Sequence, residues 1–542
     1  MQQTVATQRE RQRDSLIVAA AGLLLFTLGI WHQPFIDFET RFALFAQEMW
    51  RHGPSWFPTT YGEPYPDYPV TSTLLIWLAS HVFGGVTKLA AVLPTALAAT
   101  WTLVLTYRLL ASYSRVWGIL AVCLALLCVT FLAEARSISL DIFVTAIATT
   151  AFYVTHMLVA QNHRRWLVAI ALCLFAGFAF RGPIGVVIPA AVAASHLALS
   201  YRWRQLFALV ALVIVVMVAC WLGQLLIAKH WYDDAFAQEV IRMQVAGRID
   251  KGEAARYWYY FTSSFGNYAL AYPLALIALL LNARLLRLPI GKETDGVFIL
   301  LVAWTAVILF GLSIPDTKKV RYVLPMVPAI AAIAAYPLAF PQQAYNRRFA
   351  LFVQWLFALL PAIFAVALSI ARHKLKKRGM PIERGDFHWM MGFLAVLQCY
   401  AVAIQIKLST HRRLIGLASG AVATLWLVNL LLVEPMLRKL HDCTAFVGAV
   451  EQQRRTNSGD IVFFRIGKDA AAIKYMVNID ADLQPIFVDN TAAIASLKKP
   501  FYLIVQDSEL AALNGLPVSQ MKMIAHEHFD HRLMSAFYVR SQ

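Results

Sequence analysis

About thirteen blocks of apolar residues, most of them near the length a helix needs to cross hydrocarbon, recur along this 542-residue chain. They fall near 16–31, 89–111, 116–133, 139–159, 166–180, 183–200, 206–228, 267–286, 297–313, 322–340, 349–371, 388–406 and 412–433. A soluble fold cannot hide so many. Soluble domains carry about 25% charged residues; this chain has 15%, with 59% hydrophobic and a mean hydropathy of +0.58. The class is therefore a membrane all-α protein. The net charge of +17 would raise a nucleic-acid partner in a soluble chain. Here the basic residues sit mostly in short loops, where they set topology or meet lipid phosphates, so no nucleic acid is expected.

Arg9, Arg11 and Arg13 precede the first block, and no small-residue cleavage site follows it, so that block reads as an anchor. With the N-terminus in the cytoplasm, the inside loops hold Arg115, Arg164, Arg165, Arg202, Arg204, Arg284 and Arg287, then Arg347, Arg348, Lys407, Arg412 and Arg413. One loop resists: 372–387 is basic, yet the count puts it outside; either a span is miscounted and the loop is cytoplasmic, or it recruits an anionic acceptor such as lipopolysaccharide. The acids gather on the outer side, among them Asp37, Glu39, Glu48, Glu63, Asp67, Glu134 and Asp141. The chemistry is expected there.

Two domains are expected: a polytopic membrane domain over 1–433 and a non-cytoplasmic α/β domain over 434–542. In the second, GDIVFFRI, QPIFVD and PFYLIVQD read as buried strands, with DAAAIKYMV and TAAIASLKK as helices between them. Five of the six cysteines lie in apolar blocks, so there is no disulfide framework and no zinc motif.

The first outside loop opens with Asp37-Phe38-Glu39-Thr40-Arg41. ALFAQEMWRHG follows, with Phe42, Phe45, Met49 and Trp50 at helical spacing, and is expected to lie in the membrane interface. YGEPYPDYP then forms a proline-rich turn bearing Glu63 and Asp67. Asp141 opens an apolar span; it either caps that helix or faces a cavity or partner. The third outside loop is basic and aromatic, with Arg256 before Tyr257-Trp258-Tyr259-Tyr260. The fourth carries Lys318, Lys319 and Arg321 at a helix mouth, where they either snorkel or hold a phosphate. Acids facing cations on one membrane face suit a reaction on a lipid-linked phosphate. A carboxylate would take the proton of an acceptor hydroxyl, and cations would hold the leaving phosphate.

In these motifs the chain resembles the type C polytopic glycosyltransferases of family 39. Within them it is similar to the bacterial lipid A aminoarabinose transferases and the dolichyl-phosphate-mannose protein mannosyltransferase-like group. The resemblance rests on the acid-x-Arg of Glu39 and Arg41, the acid-proline turn and Asp141 opening the fourth span. It adds Arg181-Gly182-Pro183-x-Gly185, the WYY segment, and Lys318-x3-Tyr322-x-x-Pro325. It implies a type C fold with periplasmic interface helices and an inverting enzyme using a polyprenyl-phosphate sugar. Asp37, Glu39 and Asp141 are the implied catalytic acids; Arg41, Asp67, Tyr68, Arg256, Lys318, Arg321 and Tyr322 are the implied donor-binding residues. The family's first Asp falls on Phe38, so either Asp37 or Glu39 supplies the base, and the flexibility expected of the loop favours Asp37. Tyr68 stands where relatives carry lysine, Asp67 where they carry glutamate, and Arg181 where they often carry lysine, which changes the donor geometry. No cofactor is required, although the three acids could bind a divalent cation.

The expectation is a multi-pass glycosyltransferase of the bacterial inner membrane. Its acceptor would be lipid A, another envelope glycan or a protein. A lipid or polysaccharide flippase is the alternative; it would place its ionisable groups at mid-membrane, often in paired halves.

Overall fold

Every apolar block is helical in the computed structural model of the chain, which describes residues 7–158, 163–246, 256–287, 294–377, 382, 384–479, 481–513, 521–530 and 532–540. Helix is what hydrocarbon requires, because each backbone N–H and C=O must be satisfied within its own segment. Among the described residues, 10 helices are long and apolar enough to cross alone, and up to 12 if each of two bent pairs is one span. The bent pairs are Arg115–Leu126 with Val129–Ala135, at 76°, and Tyr259–Asn267 with Ala271–Leu281, at 115°. The remaining block is the shorter apolar helix Pro183–Leu199.

The chain forms two compact units. One comprises residues 1–28 and 95–431; the other comprises 29–94 and 432–542. The first loop thus groups with the C-terminal segment.

The first unit is the helical membrane part. Its centre is the span Val320–Ala339, 94% buried, whereas Trp203–Trp231 is only 11% buried and shows its side chains to lipid. Alanine explains the difference. Ala329, Ala331, Ala332, Ala334 and Ala335 are all buried and let neighbouring backbones come close. The indole of Trp117 closes one such contact by donating to the Ala332 carbonyl at 2.8 Å. The basic segment begins within a helix: Ala344–Lys377 carries Arg372, Lys374, Lys376 and Lys377 in its last turns, where cations favour the helix dipole. Arg378 lies outside the described residues, and Arg384 starts the next helix.

The second unit contains a five-stranded sheet in the order Ile486–Val488, Asp460–Phe464, Phe501–Gln506, Arg532–Val539, Met521–Phe529. The first three strands are parallel and the last two antiparallel. The expected strands and the helices Ala471–Val477 and Thr491–Ser496 are present; the final hairpin is an addition. The helix Glu39–His52 belongs to this unit. Its apolar face is not left open to an interface, because Phe42, Leu44, Phe45 and Met49 are buried. Leu44 shares a core with Phe446, Ile473, Tyr475 and Met476. Each buried apolar side chain gains roughly 1.5–3 kcal/mol; the Leu44 side of this helix packs on the α/β core, whereas Phe42 and Phe45 pack on Tyr68 and Tyr65.

Candidate functional site

In the membrane unit the site forms around Asp141. This residue lies in the first turn of the helix Leu140–Leu158, is buried, and makes two ion pairs. Its Oδ2 lies 3.0 Å from Nε of Arg321, and its Oδ1 lies 3.5 Å from Nη2 of Arg181. The Arg181 guanidinium also stands 5.9 Å from the ring centre of Tyr322. One buried carboxylate fixes two guanidiniums in a poorly hydrated place, and fixed guanidinium donors of this kind suit a phosphate.

Each member is held by its own local structure. Before Asp141, the Ser139 hydroxyl donates to Glu134 at 2.5 Å and its amide to Thr95 Oγ1 at 3.3 Å. Arg136 donates to the carbonyls of Leu25 and Leu28, at 2.6 and 2.9 Å, capping the C-terminal end of the first helix. Arg181 ends the helix His163–Arg181, and Gly182, at φ 63°, turns the chain into Pro183–Leu199. Arg321 lies in the 3-10 turn Val320–Met326, which the Tyr268 hydroxyl holds by donating to the Val320 carbonyl at 2.7 Å. Lys318 stands 5.7 Å over the Tyr257 ring. Arg256 is exposed and lies 6.0 Å from the Trp258 ring.

In the second unit the first-loop residues have different fates. Glu39 is buried and ion-paired with Lys88, whose ammonium also donates to the Pro34 carbonyl at 2.9 Å. The Ile36 amide donates to the same Glu39 carboxylate at 2.8 Å. Asp37 is exposed and takes a left-handed backbone, φ 46°, while its carbonyl accepts from the Thr40 hydroxyl at 2.7 Å. A non-glycine residue in that region is uncommon and is often found at functional sites.

Arg41 pairs with Asp469 at 2.8 Å and lies 5.2 Å over the Tyr65 ring. Burial works against its charge, yet Tyr65, Asp469, Tyr68 and Asp67 together hold its pKa above the ordinary arginine value. Burial likewise pushes the Tyr65 hydroxyl well up. Tyr68 is buried between Phe38, at 5.9 Å, and Phe42, at 5.1 Å, and stacks on Tyr65. Tyr65, Tyr68, Phe38 and Phe42 thus form an aromatic wall. The proline-rich turn is a small hairpin in which the Glu48 carboxylate accepts from the amides of Tyr61 and Gly62.

Among the described residues, no group of three or more His, Cys, Asp or Glu could hold a metal ion, so Asp37, Glu39 and Asp141 do not form a cation cluster. Lys88, Glu48, Arg136 and Asp469 were not found from the sequence as site residues. Lys88 carried a faint signal, as a cation opening an apolar block. Asp469 carried none, since it lies more than four hundred residues from Arg41.

The sequence model of a family described as dolichyl-phosphate-mannose-protein mannosyltransferase matches residues 67–222. No curated protein matches the chain. The fold is that of ArnT from Cupriavidus metallidurans. Its structure bound to undecaprenyl phosphate superposes with a TM-score of 0.74 at 15% identity, covering 97% of this chain and 98% of that chain. Its apo structure gives 0.73 at 15% identity with the same coverage. The chain therefore has the type C glycosyltransferase fold.

Proposed function

Starting from a chain with this fold, we propose that it is an inverting glycosyltransferase that takes a sugar from a polyprenyl phosphate and delivers it to an acceptor outside the cytoplasm. The observation that carries this reading is the buried Asp141 between Arg321 and Arg181. That triad offers fixed guanidinium charge to a phosphate, and the solved structure sharing the fold holds undecaprenyl phosphate.

In the reaction an acceptor hydroxyl attacks the sugar's anomeric carbon from the face opposite the phosphate. The new C–O bond forms as the bond to the phosphate oxygen breaks. The hydroxyl proton passes to a carboxylate, and the departing polyprenyl phosphate takes the bonding electrons. Arg321 and Arg181 offset its charge as it leaves. We assign the base to Asp37, because its carboxylate is exposed whereas that of Glu39 is held by Lys88 and the Ile36 amide. Donor binding is assigned to Arg41, Asp67 and Tyr68 of the second unit and to Arg256, Lys318 and Tyr322 of the membrane unit.

The acceptor is lipid A, another envelope glycan or a protein, and the membrane is the bacterial inner membrane with a cytoplasmic N-terminus. Grouping of 29–94 with 432–542 supports placing the first loop and the C-terminal segment on one side. Segments that pack together share a side, so an even number of crossings must separate them. Among the described residues, nine long helices, two bent pairs and Pro183–Leu199 lie between, an even count if each crosses. The basic segment 372–387 would then recruit an anionic acceptor. A cysteine placed at Lys376 and labelled only from the cytoplasm would remove that role.

The test is sugar release from purified polyprenyl-phosphate donors by membranes carrying wild type, Asp37→Asn, Glu39→Gln or Asp141→Asn. Donor-dependent turnover that falls with Asp37→Asn and Asp141→Asn is the expected result. No turnover with any donor and acceptor, from folded protein, would return the chain to the transporter alternative.

A further inference from the structure

We propose that the membrane unit also binds an anionic diacyl phospholipid, in the leaflet opposite Asp141. The site is a cavity of about 750 Å³ lined by the first helix, Gln8–Thr27, by the 97–108 stretch of the helix Lys88–Ala111, and by the end of the helix Leu140–Leu158. Asp141 begins that last helix and Met157, which lines the cavity, nearly ends it. The 16 intervening steps at 1.5 Å place the two ends roughly 24 Å apart, most of a hydrocarbon core.

The lining has the polarity of a lipid. Arg11 and Arg108 stand at one end, and Leu16, Leu97 and Trp101 continue from them. On the helix Lys88–Ala111, Leu97, Trp101, Val104 and Arg108 recur at i, i+4, i+7 and i+11, so they form one stripe about 16 Å long. Leu16 is 72% exposed and Leu97 51%, so the trough is open to acyl chains.

Charge selects the headgroup. The two acids nearest along the first helix are both engaged. Glu10 accepts from the Thr7 amide and hydroxyl in the helix cap, each at 2.9 Å. Asp14 accepts from Tyr107 at 2.7 Å and from Arg115 at 2.6 Å. Among the described residues neither Arg11 nor Arg108 has a carboxylate at ion-pair distance. Two unpaired guanidiniums beside an apolar trough fit the phosphate of an anionic lipid. A polyprenyl donor does not account for them, because its charge is at the sugar end and its tail carries none.

The test titrates purified, lipid-stripped full-length protein in detergent with phosphatidylglycerol or phosphatidylcholine and counts adducts by native mass spectrometry. Wild type is expected to hold one phosphatidylglycerol at least tenfold more tightly than phosphatidylcholine. Arg11→Gln with Arg108→Gln should remove that preference, and Ala19→Trp should block binding while leaving both arginines in place. Arg202→Gln with Arg204→Gln, exposed interfacial arginines elsewhere, should change nothing. Thermal midpoints without lipid check that each variant is folded. Undiminished phosphatidylglycerol binding in the Arg11/Arg108 variant would overturn the site, as would equal loss in the control pair. Full competition by inorganic phosphate would make it a free-anion site, and stronger competition by polyprenyl phosphate would make it a donor-tail site. Either result overturns the proposal.

Discussion

Gly177 and Gly185 meet so closely that a Cβ on either would stand 1.9 Å from the other's carbonyl oxygen. They bring together the two helices on either side of Arg181-Gly182-Pro183, and that contact sets where Arg181 points. Gly177→Ala or Gly185→Ala must push the helices apart. Each is expected to destabilise the protein by about 1–3 kcal/mol and to lower donor turnover by loosening the Arg181–Asp141 pair. Thermal unfolding and sugar release measure the two effects. Wild-type behaviour in both would show that the helices relax at no cost.

Asp37 and Glu39 should separate by phenotype. Glu39→Gln leaves the buried Lys88 ammonium without its counter-charge, a change that costs about 3–5 kcal/mol. Pairing it with Lys88→Gln should recover part of the loss. Asp37→Asn should leave the melting point unchanged and cut turnover by roughly 100-fold or more, as removal of a general base does. Strong destabilisation by Asp37→Asn would assign that residue to the fold instead.

Arg321→Lys keeps the charge beside Asp141 but not the planar fork. Stability should hold while kcat/KM for the donor falls about tenfold. An unaltered kcat/KM would mean that point charge alone suffices at that position.

Asp469→Ala frees Arg41 from the α/β domain. The KM for donor should rise more than kcat falls, and Asp469→Glu should restore part of it. If kcat alone falls, Arg41 does not act through donor binding.

Acid should loosen the C-terminal hairpin. Burial raises the Asp530 pKa, but the ammonium of Lys474 at 3.0 Å and the ring of His441 outweigh it and hold the carboxyl below its usual range. A depressed folded pKa gives stability that is present above the unfolded pKa, near 3.8, and lost as pH falls through the folded value. Hydrogen exchange in Met521–Phe529 and Arg532–Val539 should therefore accelerate below about pH 4, and Asp530→Asn should weaken that dependence. An identical pH profile in the variant would place the acid-sensitive group elsewhere.

The membrane spans, the C-terminal α/β pattern and the type C resemblance were legible in the sequence, because hydrocarbon length and strand alternation act over a few consecutive residues. Asp141 and Arg321 could be singled out, since a charge at the mouth of an apolar span needs a partner; Arg181 entered only through the family resemblance. The identity of the partners was not legible. That Glu39 is satisfied by Lys88, that Arg41 answers to Asp469, and that Leu44 packs with Phe446 and Tyr475 are contacts between segments far apart in the chain. Local periodicity fixes which face of a helix is apolar; only packing decides what covers it and which charges it neutralises.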